Sequence, residues 1–277
     1  MLVFPEAFGL GEHAIGRGER LTKELGYAAL ACDLHGDGKV IEDLAQVMPL
    51  LAPLRTDAAK VRDRTGKALA ALTARKEVDA GRTAAIGFCF GGTMSFELAL
   101  AGAPIQAAVG FHSGLQVTSP GDAKQIKGKV MALLGADDPG IPADQREAFE
   151  KAMREGGVDW QMTLYGGVVH SYTNPDADKM NRPEFLRYDP VADKRSWKQM
   201  SDLFAEVLGE GSGAWIARSS KRRGPARRRR SLSRRSSRSS GAISTRTIRA
   251  STRSTRTSTP TRNCRSRKCA RPPSSPA

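Results

Sequence analysis

The sequence predicts an α/β fold over residues 1–211: a mostly parallel sheet with helices on both faces. Three observations carry that prediction. Six short apolar runs recur along this stretch. Amphipathic segments of helical length separate them, and strands alternating with helices imply parallel pairing through crossover connections. The runs are also nearly continuous in apolarity, as strands buried on both faces should be.

The first run, MLVF (1–4), is a strand, and a helix follows over 12–25. YAALACDL (27–34) is the second strand. The helix expected over 56–75 sets Ala58, Val61, Leu69 and Leu72 on roughly one face. TAAIGF (83–88) is a strand leading into a helix over 92–101, and IQAAVGF (105–111) and KVMALLG (129–135) are strands. A helix over 143–155, the strand WQMTLY (160–165) and a helix over 193–208 complete the series. In sheets of this kind ligands bind at the carboxyl ends of the strands. The loops there are where chemistry is expected.

Charge divides the chain in two. The net charge of +15 suggests nucleic-acid binding, yet residues 212–277 alone hold 18 Arg and 2 Lys with no Asp or Glu. The first 211 residues carry 24 basic against 29 acidic side chains, a net of −5. The basic segment is low in complexity and too poor in apolar residues to offset chain entropy, so disorder is expected there. The domain reading is therefore an α/β domain over 1–211 and a disordered Arg/Ser/Thr-rich tail over 212–277. A genuine tail would bind nucleic acid without sequence preference; a shifted reading frame in GC-rich DNA produces the same composition.

Four cysteines, at 32, 89, 264 and 269, lack the density of a disulfide scaffold. Cys264 and Cys269 form C-x4-C without a second ligand pair, so no metal is expected. No run approaches the roughly 18 apolar residues of a spanning helix, and no signal peptide opens the chain. A reducing cytoplasm is the default.

GFCFGG (87–92) lies between a strand and a helix, the thiol version of the G-x-S-x-G nucleophile elbow of α/β-hydrolases. Gly87 and Gly91 leave room for a strained turn, and the helix N-terminus favours a thiolate at Cys89. A nucleophile needs a base, and the base an orienting group. The order nucleophile, acid, histidine is met by Cys89, the Asp137–Asp138 pair and His170, each just past a predicted strand. His112, ending another strand, is the alternative base, whereas His13 and His35 read as solvated. FPEAFG (4–9) supplies an early strand–helix loop, so the Ala7 and Phe90 amides are the expected oxyanion donors. Glu6 beside them is a carboxylate whose burial is costly unless it is used.

With FPEAFGL, GFCFGG, GADDPGIP and VVHSYTNP in this order, the chain over about residues 1–208 resembles the dienelactone hydrolase family of α/β-hydrolases. The resemblance implies a carboxylic ester or lactone hydrolase that works without a cofactor on a small molecule, through a Cys–His–Asp triad and a thioester. It selects Asp138, four positions before Pro142, as the catalytic aspartate. It implies that Glu6 contacts the resting thiol. The family commonly carries a β-hairpin ahead of the first motif, so Met1, already inside a strand, implies a shortened N-terminus and an exposed sheet edge. The dienelactone enzyme keeps an arginine where this chain has Asn174, which leaves Arg55 as the cation for a substrate carboxylate. Asn174, Arg55 and His112 are thus the expected substrate contacts.

Two other functions compete. GLGEHA (9–14) matches G-x-G-x-x-A, with Asp33 about 20 residues on, as an NAD(P)-binding protein would have. Against it, Pro5–Phe8 separates the strand from Gly9, and Glu6 and Glu12 put negative charge near the pyrophosphate. The second is nonspecific nucleic-acid binding through the tail.

Overall fold

The computed structural model describes residues 1–209 except Thr118. The expected disordered tail, the Cys264–Cys269 pair and the nucleic-acid reading lie outside the described residues. Within them, six strands form one parallel sheet in the order β2-β1-β3-β4-β5-β6. They are β1 (Leu2–Phe4), β2 (Leu30–Ala31), β3 (Ala84–Phe88), β4 (Ala107–Phe111), β5 (Lys129–Gly135) and β6 (Trp160–Tyr165).

Six α-helices cover the sheet: α1 (Glu12–Leu25), α2 (Leu44–Arg55), α3 (Ala58–Thr73), α4 (Phe90–Leu100), α5 (Ala143–Glu155) and α6 (Pro190–Leu208). Side chains alternate between the faces of each strand. Phe4, Ala85, Ala108 and Ala132 face a core shared with α2–α5. Val3, Ile86, Phe88, Val109 and Phe111 face the core closed by α1 and α6. Every residue of β3 and β4 is buried, and each buried Phe, Ile or Val contributes about 1.5–3 kcal/mol. The second core holds a buried ion pair, Arg17 on α1 with Asp193 on α6, at 2.9 Å. Arg17 also donates to the Thr173 carbonyl, so one guanidinium ties two helices to the loop after β6.

The edges depart from the sequence expectation. β2 keeps only two ladder residues of the expected eight, and both are partly exposed. On β6, Leu164 is exposed. Each edge strand has a neighbour on one side only. α2 has no counterpart in the expected series, because Pro49 and Pro53 break the reading of a helix. Both prolines lie on the exposed side, while Val47, Leu51 and Leu54 are buried in the core. Packing outweighs the lost backbone bonds, and the Asp43 side chain caps the helix by accepting from the Ala45 amide.

Topology then locates the site. The chain runs from β1 outward to β2 and returns past β1 to β3, so the order reverses between β1 and β3. At such a switch point the strand ends leave a crevice at their carboxyl rim. Residues 5–8 follow β1 there, and Cys89 follows β3. α6 ends at the opposite rim, where Arg82, just before β3, donates to the Leu208 carbonyl and Tyr27 donates to the Gly209 carbonyl at 2.7 Å. Among the described residues no helix is long and apolar enough to cross a membrane.

Candidate active site

Cys89 sits between β3 and α4 with φ 54° and ψ −122°, a left-handed turn that few non-glycine residues adopt. The surrounding glycines make room for it. A side chain on Gly87 would collide with the Gly91 carbonyl, and one on Gly91 with the carbonyls of Phe4 and Pro5. β1, the elbow and α4 therefore approach more closely than any larger residue permits.

His170 follows β6 in a loop pinned by a hydrogen bond from its backbone N–H to the Phe185 carbonyl at 3.0 Å and by stacking on the Phe185 ring. Its Nδ1 donates to Asp138 Oδ2 at 2.6 Å, which leaves Nε2 for Cys89. Of the aspartate pair, Asp138 is buried and held through its other oxygen by the Gly140 amide at 2.8 Å; Asp137 is exposed. Burial by itself disfavours the imidazolium. The electrostatic pull of Cys89 and the hydrogen bonds to Asp138 and Cys89 outweigh it, and the His170 pKa is pushed up to about 10.

Ala7 and Phe90 flank Cys89 in the lining of one cavity of about 340 Å³. Phe90 is the first residue of α4, so its N–H has no partner within the helix. Among the described residues neither the Ala7 nor the Phe90 N–H donates to a protein acceptor. Two amides in this state beside a thiol suit a developing oxyanion.

Several sequence expectations are corrected here. Glu6 does not bond the thiol: Ser171 Oγ donates to Oε1 at 2.8 Å and Asn174 Nδ2 to Oε2 at 2.5 Å. A buried carboxylate takes the donors nearest to it, and these belong to the His170 loop. Asn174, spent on Glu6, does not line the cavity. His112 is fully buried behind the elbow, where Nδ1 accepts from the Cys89 amide at 3.2 Å and Nε2 pairs with Thr173 Oγ1 at 2.8 Å. It supports the turn and does not reach the cavity. Arg55 does line the cavity, as an exposed residue at the end of α2.

His13 and His35 are not solvated residues. The His13 side chain is 11% exposed and edges onto the Phe88 ring, with Arg17 Nε donating to its Nε2 at 3.2 Å. His35 Nε2 donates to the Ala7 carbonyl at 2.8 Å, bracing the loop that presents the Ala7 amide. Asp33, the ribose ligand of the dinucleotide reading, instead accepts from the His35, Gly36 and Gly38 amides at 3.1, 2.9 and 2.7 Å. Gly9 is bridged to Val40, and a side chain on it would strike the Lys39 carbonyl. The 33–41 segment thus packs against Gly9, the first of the glycines that a pyrophosphate would need.

The walls of the cavity were not foreseen. Met48, Leu51 and Leu54 come from α2, and Thr93 and Glu97 from α4. Once the elbow is placed, positions 90, 93 and 97 follow from helical spacing.

Comparisons with known proteins agree with this architecture. A dienelactone hydrolase-like promiscuous phosphotriesterase from metagenomic libraries is 46% identical, with a TM-score of 0.71 over 74% of this chain and 85% of that one. A Methylorubrum extorquens protein named by inference as a carboxymethylenebutenolidase is 30% identical over 74% of this chain and 71% of its own. A Salmonella typhimurium protein named in the same way is 29% identical over 76% and 78%. The pattern that defines the dienelactone hydrolase family matches residues 1–208. A parallel sheet that opens between β1 and β3 onto a thiol elbow is what this match describes in three dimensions, and the chain belongs to the dienelactone hydrolase family, as a hydrolase of the ester and lactone type.

Proposed function

We propose that the protein hydrolyses a small carboxylic ester or lactone by covalent catalysis at Cys89. The thiolate attacks the carbonyl carbon, and the Ala7 and Phe90 amides hold the oxyanion. Collapse expels the alkoxide, which takes the proton of the His170 imidazolium and leaves a thioester on Cys89. His170, neutral again and oriented by Asp138, removes a proton from water, whose attack on the thioester releases the acid and restores the thiolate. Glu6 fixes the Ala7 loop against the His170 loop through Ser171 and Asn174.

The observation that carries the reading is a thiol at a positive-φ elbow, facing a buried His170–Asp138 pair that meets at 2.6 Å. Acid quenching during turnover of a p-nitrophenyl ester, followed by peptide mass spectrometry, should find the acyl mass on the Cys89 peptide. Iodoacetamide should block both the adduct and the turnover. Cys32 is no rival, since burial pushes its thiol up to about 12. Turnover that survives alkylation of Cys89 would overturn the proposal.

His170 also sets the pH profile. Its folded value of about 10 lies above the ordinary value of 6.5. The imidazolium therefore stabilises the fold in full below pH 6.5, and that contribution disappears as pH rises through about 10. Activity should stay level through neutrality and fall on an alkaline limb near pH 10, as the proton for the leaving group is lost. A kcat/KM profile with its only limb near pH 6.5 would contradict this assignment.

His35→Ala should lower kcat by about tenfold with KM little changed, because the Ala7 amide loses its brace. His35→Gln, which can still donate to the Ala7 carbonyl, should recover part of the loss. Equal activity in both variants and wild type would remove His35 from the mechanism.

A further inference from the structure

The charge of the Cys89 cavity points to a preference that the reaction chemistry alone does not specify. α4 lays Phe90, Thr93 and Glu97 along one wall. At 1.5 Å per residue, Glu97 stands about 12 Å from Cys89 along the helix axis, roughly the extended reach of an eight-carbon acyl chain on the sulfur. It is 3% exposed. Its carboxylate accepts from Arg62 Nε at 2.8 Å, and the same guanidinium reaches Asp122 at 2.7 Å. One cation thus serves two carboxylates. Arg62 is not part of the lining, so this network, one cation against two carboxylates, presents its surplus negative charge to the cavity through Glu97.

The other charged groups of the lining do not offset it, because His170 is committed to Asp138 and Cys89. Leu51, Leu54, Val61 and Ile141 make the surrounding wall apolar, and Asn174 is committed to Glu6. Arg55 lies in solvent at the end of α2, where salt screens it within about 8 Å. A carboxylate carried into this cavity would leave water, meet Glu97 and find no buried cation that is not already paired, since the His170 imidazolium is held by Asp138.

We infer that Glu97 is a specificity-determining residue, which turns away anionic acyl groups and fits the site to neutral esters and lactones. The inference rests on the thioester reading above. It is tested on the full chain with two p-nitrophenyl esters of similar acyl length, the neutral octanoate and the anionic hemisuberate. The octanoate should exceed the hemisuberate in kcat/KM by about tenfold or more, mainly through KM. Glu97→Gln should narrow that ratio severalfold. Asp122→Asn removes the surplus charge without touching the buried contact with Arg62, so it should narrow the ratio even if Glu97→Gln fails to fold.

Equal rates on the two esters, a preference for the hemisuberate, or a ratio unmoved in the folded variants would overturn the inference. Cys89→Ala separates the two readings. Loss of both activities keeps the thioester reading while the wild-type ratio judges Glu97; retained activity removes the thiol, whatever the ratio shows.

Discussion

Replacing Cys89 by alanine should lower ester hydrolysis by about 10⁴-fold or more while leaving the melting temperature within a few degrees of wild type. The activity loss is large because no other group can take over. In the proposed mechanism His170 and Asp138 serve Cys89 alone; Ser171, beside His170 in the sequence, is committed to Glu6, and Thr93, four residues after Cys89, donates to the Gly114 carbonyl. Triad members act as a unit, so losing one forfeits nearly all of their joint effect. The fold should survive because alanine occupies the φ 54° turn at the same steric cost as cysteine, and Cys89 is only partly buried. Steady-state rates on a p-nitrophenyl ester, with a thermal melt of the same preparation, make the check. A variant that keeps a tenth of wild-type activity would sink the thiol mechanism.

Gly91→Ala should do the reverse, damaging the fold first and the chemistry with it. The new methyl would press on the carbonyls of Phe4 and Pro5, backbone atoms that no rotamer change can move aside. β1 and the Ala7 loop must shift away from α4, at a cost of about 3 kcal/mol. For a domain of this size that is a fall in Tm of about 6–12 °C. The same substitution at Gly16, where an added methyl meets nothing within 4 Å, should be neutral or slightly stabilising. Equal melts for the two variants would show that the elbow is not packed as described.

What the sequence revealed depends on how far apart the interacting residues lie. Strands β3 to β5 were legible because burial on both faces demands unbroken apolarity, and the elbow because its glycines and thiol sit within six consecutive residues. α2 was hidden, since its prolines offend local rules and only tertiary packing shows that they point outward. The histidines show the limit most clearly. His35 reaches Ala7 across 28 positions and His13 reaches Thr173 across 160, so polar neighbours in the sequence made both look solvated. Glu6 was noticed as a costly carboxylate, but its partners Ser171 and Asn174 come from a loop more than 160 residues away. Periodicity finds faces; it does not say which loops will meet.

The path of α6 has a practical consequence. Cys89 and His170 hang from the carboxyl rim of the sheet, whereas Leu208 and Gly209 are fastened to Arg82 and Tyr27 at the other rim. An immobilising anchor joined after Gly209 would start on the side of the enzyme away from the cavity mouth, so attachment there should leave diffusion of substrate to the thiol unobstructed.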